Sequence, residues 1–460
     1  MRAPRDGTTV AGGHRMRLLI LVFAVGCAEQ VEPPGTDPPP QPRATWYQDV
    51  APIVVQKCAG CHQPGGIGPF DLTTFESAST FALQVQGAIA GGIMPPFSAE
   101  VGGDCAPTHT WKDDPRVTAE EKTAIDIWIE DGRHSGEFVD IALPPLPELA
   151  GKTHSLLPNP YVTQGETDEF VCFLLDPQTT TDTWLTGWHV RPGNAKVVHH
   201  AVVSTLPASL MPAAKQAVGV GNSFACSAAA GVDGSILVGA WAPGGQPFDS
   251  GDVGTKIGAG DGLIVQIHYH PAGQVADPDA TALDLRLSTT QPAAEYRLCA
   301  FGNADAPPAL QPGKYDPASG PKFEIPPNVA DGEERMLFTV PSGAELAVLT
   351  AFPHMHYVGV EQAVWVHRAG GATECLVNVN KWNFDWQRQY TIDAPLDALP
   401  VVRGGDTVEL RCRYNNTLAN PFVQRALADL GLSSPITVEL GEQTTNEMCI
   451  ALFAVIDRRP

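Results

Sequence analysis

His354 and His356 flank Met355 in the stretch Ala351 to Gly359, AFPHMHYVG, just after the apolar run Leu346 to Thr350, LAVLT. Side chains two apart on a strand point the same way. This spacing therefore projects two imidazoles from one face, as a histidine pair gripping one metal requires. A pair of ordinary histidines at a strand end has the same spacing. Further donors of the same kind stand at His199-His200, at His268 within His268-Tyr269-His270, and at Met448. Thioether sulfur combined with imidazole nitrogen favours copper, Cu(I) above all.

A second constellation is Cys58-Ala59-Gly60-Cys61-His62. In an exported chain CxxCH reads as covalent haem attachment, with two thioether links from Cys58 and Cys61 and His62 as an iron ligand. Zinc is the competing reading, but it wants a second Cys/His pair nearby. The neighbourhood offers only Cys105, His109 and His134. Met94, in the loop GGIMPP, is the sole methionine between residues 43 and 150 and is the candidate second axial ligand. His/Met ligation raises a haem potential, which suits an electron carrier.

The elements that must hold these groups fall into two kinds. Residues 44–140 carry helix signals: Asp49 as a cap with Pro52 in the first turn, then a second helix from Thr118. There Thr118 and Glu121 have capping-box spacing, Ile125, Trp128 and Ile129 recur at helical spacing, and Gly132 ends the helix. Residues 141–160 are a Pro-rich linker. Beyond it come short alternating runs, among them Glu169–Leu175, Lys196–Ser204, Gly262–His268, Glu345–Thr350 and Thr407–Tyr414, broken by Gly, Pro, Asp and Asn. That is a β-sandwich pattern. The expectation is a mainly β protein: two sandwiches over 161–290 and 291–460, preceded by a small all-α haem domain.

Composition agrees. The chain has 460 residues, only 17% of them charged, with 45 Gly and 42 Pro, which favours turns and strands over helices. A net charge of −22 argues against nucleic acid and anionic membrane surfaces as partners. Residues 1–27 read as a lipoprotein-type signal peptide. From Met16 the segment MRLLILVFAVGC is too short to span a bilayer, and Ala24 to Cys27 resembles a lipobox that would leave Cys27 acylated. Met16 is as good a start as Met1, since the first fifteen residues lack apolar character. Residues 28–43 are a Pro-rich tether. Together these place the expected protein on the periplasmic side of the envelope or at the cell surface, held to a membrane by lipid.

Two resemblances follow from these motifs. The segment around CAGCH and Met94 resembles a class I-type cytochrome c domain. The contexts GWHVRPGNAKVVHHAVV, AWAPGG with LIVQIHYHPAG, AFPHMHYVG and TTNEMCIALF resemble the copper type II ascorbate-dependent monooxygenases over about residues 160 to 457. That family includes peptidylglycine α-hydroxylating monooxygenase and dopamine β-monooxygenase. The resemblance implies two jelly-roll-like sandwiches and two copper ions beside the c-type haem. His199, His200 and His268 match the electron-transfer copper. His354, His356 and Met448 match the oxygen-activating copper. Adjacent His199 and His200 reach one metal only if their strand twists or bulges. Gln266 matches a family position near the active site. His270 is a rival ligand or a supporting residue, and His189 reads as structural.

The same resemblance implies a Cys412–Cys449 disulfide beside the Met ligand. Cys172–Cys226 is the next pair, Cys299–Cys375 is left by elimination, and Cys105 has no evident partner. The sequence also departs from the peptide-amidating members. Phe352 stands where they carry a carboxylate-binding Arg, Leu452 where they carry a Tyr, and Ile450 where they carry an Asn. An apolar wall cannot satisfy a carboxylate. The expected activity is hydroxylation of a C–H bond in a small organic substrate with O2. Electrons would pass from the haem to copper, and a periplasmic or extracellular donor would supply the haem. A non-catalytic electron-transfer or copper-binding lipoprotein is the alternative.

Overall fold

A computed structural model describes residues 42–459 apart from 101, 165–167, 219–221, 227–231 and 271–276. The signal segment, Cys27 and most of the tether lie outside the described residues. Among those described, no helix is long and apolar enough to cross a membrane.

The polypeptide is mainly β, as its alternating runs require. Glu169–Leu175, Val198–Leu206, Ile236–Trp241 and Gly262–Tyr269 form most of a five-stranded antiparallel sheet, with Ser223–Ala225 at one edge. Gly332–Thr339, Gly359–His367, Thr373–Val379 and Thr407–Tyr414 form a four-stranded sheet. A ten-stranded sheet backs both. Its strand Ala294–Gly302 pairs in parallel with Val253–Ile257 on one side and antiparallel with Ile450–Asp457 on the other. Thus the expected division near residue 290 falls just before the strand that carries one sheet from the first histidine set to the second. A single apolar cluster, from Val171 and Val203 to Val364 and Phe453, runs through both halves. Burial at about 25 cal/mol per Å2 of apolar surface makes this shared interior the main stabilising term.

Residues 42–96 and 117–141 enclose a second core, in which Trp46 and Trp128 meet at 5.7 Å between ring centroids. The helix Ala119–Glu130 has the expected capping box: Glu121 N–H donates to Thr118 Oγ1 at 3.2 Å and Thr118 N–H donates to Glu121 at 2.8 Å. Asp49 differs from expectation. It lies inside the first turn, and its carboxylate accepts from Thr45 N–H at 2.6 Å, so Thr45 is the residue at the entry. A helix not anticipated from sequence, Phe75–Ala90, begins at Thr74, whose hydroxyl accepts from Ser77 N–H.

The stretch between these helices does not stay with them. Ala99 pairs with Val379 and Trp111 with Ile392, so the described residues among 97–112 form a strap along the C-terminal β structure. Arg411 donates to Asp104 at 2.7 Å, and Trp365 Nε1 donates to the Asp104 carbonyl. The strap is covalently fixed by a Cys105–Cys375 disulfide. This corrects the expected Cys299–Cys375 pair. Cys299, on the strand Ala294–Gly302, carries no disulfide, and Cys105 was left over only because its partner is 270 residues away. The Cys172–Cys226 and Cys412–Cys449 bonds are present as expected.

Replacing Cys105 and Cys375 together by Ser is expected to cost about 2–4 kcal/mol of stability. Thermal unfolding would register the loss, and limited proteolysis would open first within residues 97–116.

Candidate metal centres

Strand geometry explains how adjacent histidines converge. The strand Val198–Leu206 is in register at His200 opposite His268, but Val198 pairs with Tyr269, so His199 is the extra residue of a bulge. A bulge turns its extra residue toward the face of its neighbour. His199 Nδ1 consequently lies 3.1 Å from His200 Nδ1, and His268 Nδ1 lies 3.4 Å from the same atom. Metal–nitrogen bonds of about 2.0–2.1 Å set ligand nitrogens roughly 3.3–3.6 Å apart. The triangle therefore fits one ion, and these three rings are the histidine cluster that could hold one. Burial first, then the neighbouring imidazoles, hold His199 and His200 well below the usual imidazole range. Their rings stay neutral and keep lone pairs for a metal.

His270 settles beside this triangle rather than in it. Its Nδ1 is 2.6 Å from Asp168 Oδ1, while its ring centroid is 6.2 Å from that of His199. Asp168 also approaches His268 Nε2 at 3.4 Å and accepts from the Thr444 hydroxyl. Burial opposes ionisation of Asp168, but the two histidines outweigh it and hold the carboxyl low. The carboxylate thus lies behind the His268 ring, the side on which carboxylates behind metal-binding histidines stand. Gln266, two residues before His268, shares its face of the strand, with its amide 3.5 Å from Cys226 Sγ. His189 is buried on the strand Thr183–Arg191.

The second set sits at the end of the strand Glu345–His354. His354 pairs with Ile450, and the His354 and His356 rings lie 5.1 Å apart and nearly perpendicular. Gln387 accepts from His354 Nδ1–H at 2.7 Å, which fixes the tautomer and leaves Nε2 as the ligand atom. His356 Nδ1 is buried without a partner, a polar atom that a metal would satisfy. Burial depresses His354 to about 4 and His356 well below the usual range.

The backbone at Met448 is tied to the backbone at His356 by a residue that the sequence did not flag. Glu447 is fully buried, and its Oε1 accepts the backbone N–H of both His356 and Met448, the latter at 2.8 Å. Its Oε2 accepts Val358 N–H at 3.1 Å. Burial pushes the carboxyl up to about 8, against the pull of these donors. The Cys412–Cys449 bond then anchors the next residue to the strand Thr407–Tyr414.

The two sets are not separate. His200 and His354 have ring centroids only 5.7 Å apart, so imidazoles from both sets form one contiguous cluster. Beside it Phe352 pairs directly with Leu452, and both bury against Val202 and Ala240 of the five-stranded sheet. The apolar wall read from the sequence is therefore part of the contact between the two halves.

The CAGCH motif lines an apolar cleft together with Phe70, Val85, Ile89, Met94, Pro95 and Trp386. Cys58 and Cys61 carry no disulfide, although CxxC spacing permits one, and burial raises both thiols, Cys58 to about 12. The Phe70 carbonyl, 3.0 Å from His62 Nδ1, can only accept, so the ring proton sits there and Nε2 is free. Two bonding thiols, a free imidazole nitrogen and a thioether around one apolar slot fit a c-type haem. Trp386 and Gln387 were missed because the stretch NFDWQRQY has neither strand nor helix periodicity. Glu447 had one available signal, an acid directly before a candidate ligand in a buried run.

No protein-family model and no curated protein matches this sequence. Solved structures that resemble the chain include a Paenibacillus xanthan lyase, at 12% identity and a TM-score of 0.17. That match covers 66% of this chain and 25% of the lyase. Another is the infectious bursal disease virus Gt strain structure, at 9% identity and a TM-score of 0.15, covering 69% and 81%. The tandem CBM22 domains of Paenibacillus barcinonensis Xyn10C match at 10% identity and a TM-score of 0.13, covering 62% and 82%. The match thus spans a quarter of the lyase, and similarities this low carry no argument about function.

Glu447→Gln turns an amide N–H2 toward backbone donors. The expected result is a loss of about 2–4 kcal/mol in stability, with weaker copper binding at the second set and unchanged binding at His199, His200 and His268. Titration of the apoprotein with Cu(I) against a competing chelator separates the two.

Proposed function

We propose that this chain is an exported haem-copper monooxygenase, of the kind its copper motifs resemble, that hydroxylates a C–H bond of a small, partly apolar organic molecule. The observation that carries the reading is the single cluster of closely packed imidazoles from two strand systems, bordered by a thiol-lined cleft suited to haem. His199, His200 and His268 would hold the electron-transfer copper, and His354, His356 and Met448 the oxygen-activating copper. Cys58 and Cys61 would attach the haem, with His62 and Met94 on its iron. Bound copper supplies one-electron chemistry and an O2 site, and bound haem supplies a one-electron reservoir.

The chain's own residues shape that chemistry. Burial, named first among the causes, holds His199, His200, His354 and His356 below the usual imidazole range and so favours rings with a free lone pair. Gln387 fixes the His354 ring through the nitrogen it does not present to metal, and Asp168, bonded to His270, lies 3.4 Å behind the His268 ring. Glu447 sets the position of the Met448 backbone against His356. Phe352 and Leu452 fill with buried apolar contacts the place where the resemblance would put a carboxylate-binding Arg, so no cation stands there to recognise a terminal carboxylate. O2 and a small molecule are the reaction partners. A periplasmic or extracellular donor recharges the haem, and lipid on Cys27 holds the protein at the membrane.

The expected metal content is two copper and one iron per chain. With the haem pre-reduced and 18O-labelled dioxygen supplied, a panel of small apolar compounds should yield a product carrying one labelled oxygen, and Met448→Leu should abolish it with the haem spectrum intact. Full metal loading with no oxygenated product would leave the electron-transfer alternative.

A further inference from the structure

One short segment touches all three centres. Phe384 is fully buried and stacks on His199 at 4.3 Å between centroids and 15° between planes. The same ring lies 6.3 Å from that of His356. Three residues on, Gln387 holds His354 Nδ1 at 2.7 Å. Between them Trp386 lines the apolar cleft with Cys58, Cys61, His62 and Met94. At Gly244, in the WAPGG loop, an added methyl would meet the Trp386 ring at 3.7 Å and Ile67 of the haem-attachment loop at 4.0 Å. Haem loop, copper-binding half and Trp386 therefore converge at one point.

The segment is built to be rigid. It forms a 3-10 turn, Phe384–Trp386, and the Asn383 side chain accepts from Asp385 N–H at 2.9 Å. The Asp385 carboxylate pairs with Arg425 at 2.8 Å. Gln387 donates back to the Phe384 carbonyl at 3.3 Å, and Arg388 donates to the Pro96 carbonyl at 3.4 Å, next to Met94 and Pro95. Phe384 is held by Tyr357 at 4.5 Å between ring centroids as well as by His199. Electron tunnelling falls steeply with through-space gaps, and a covalent turn with an aromatic ring at each end removes those gaps.

We propose that residues 384–387 are the electron relay between the haem and the histidine cluster, with Trp386 as the contact on the haem side and Phe384 as the contact on His199. The inference rests on the function proposed above. In the step, ferrous haem iron loses one electron and becomes ferric. Cu(II) held by His199, His200 and His268 gains it and becomes Cu(I). No proton or other atom is transferred.

The test uses the full chain loaded with haem and Cu(II), without oxygen or substrate. A laser-flash photoreductant delivers less than one electron per haem, and the ferrous absorption band is followed as it decays. Trp386→Leu should slow haem re-oxidation several-fold, and Trp386→Phe should slow it less. In both variants the haem midpoint potential and the copper EPR spectrum should match the parent. An unchanged rate in Trp386→Leu overturns the relay while leaving the proposed function intact. A slower rate accompanied by a shifted potential or altered EPR spectrum also overturns it, because the residue then acts on the structure of a centre. If the parent haem is not re-oxidised by bound copper at all, the proposed function itself fails, and the relay with it.

Discussion

One buried carboxyl group ties the backbone at His356 to the backbone at Met448. Glu447 has no solvent exposure, yet its oxygens take backbone N–H groups from His356, Val358 and Met448. Two chain segments that are about ninety residues apart thereby share one anchor. Removing it would leave several buried donors unsatisfied, each costing about 1–3 kcal/mol. Burial penalises the charged form of this carboxyl, and the backbone donors around it offset part of that penalty. The Cys412–Cys449 bond reinforces the same point from the other side.

The rest of the β structure can be understood as what brings that anchor beside the first set. The strand Ala294–Gly302 continues one sheet from Val253–Ile257 to Ile450–Asp457, which fixes the two halves relative to each other. Phe352, Leu452, Val202 and Ala240 close the contact. The bulge at His199 then turns three imidazoles inward, and His200 ends 5.7 Å from His354. The strap 97–112, tied down at Cys105–Cys375, brings the cleft bearing CAGCH against the same assembly.

Much of this was legible in the sequence, for identifiable reasons. The strand alternation gave the mainly β class, and the adjacent His199-His200 pair demanded a bulge that the register displays. The capping box at Thr118 and Glu121 predicted a real helix start. What escaped had no local signature. The Cys105–Cys375 bond joins residues whose proximity depends on the whole topology, so elimination among cysteines chose the wrong partner. Gln387 and Trp386 lie in an aperiodic loop, and their neighbours, His354 and the cleft bearing CAGCH, are set by tertiary packing. The closeness of His200 to His354 is likewise a product of how the sandwiches meet, which no spacing in the chain encodes.

The most direct test of the central claim is the copper K-edge X-ray absorption spectrum of the Cu(I)-loaded protein. The account predicts a copper–sulfur shell alongside imidazole nitrogens in the parent, with the sulfur shell absent in Met448→Leu. A spectrum showing nitrogen ligands alone in the parent would contradict it.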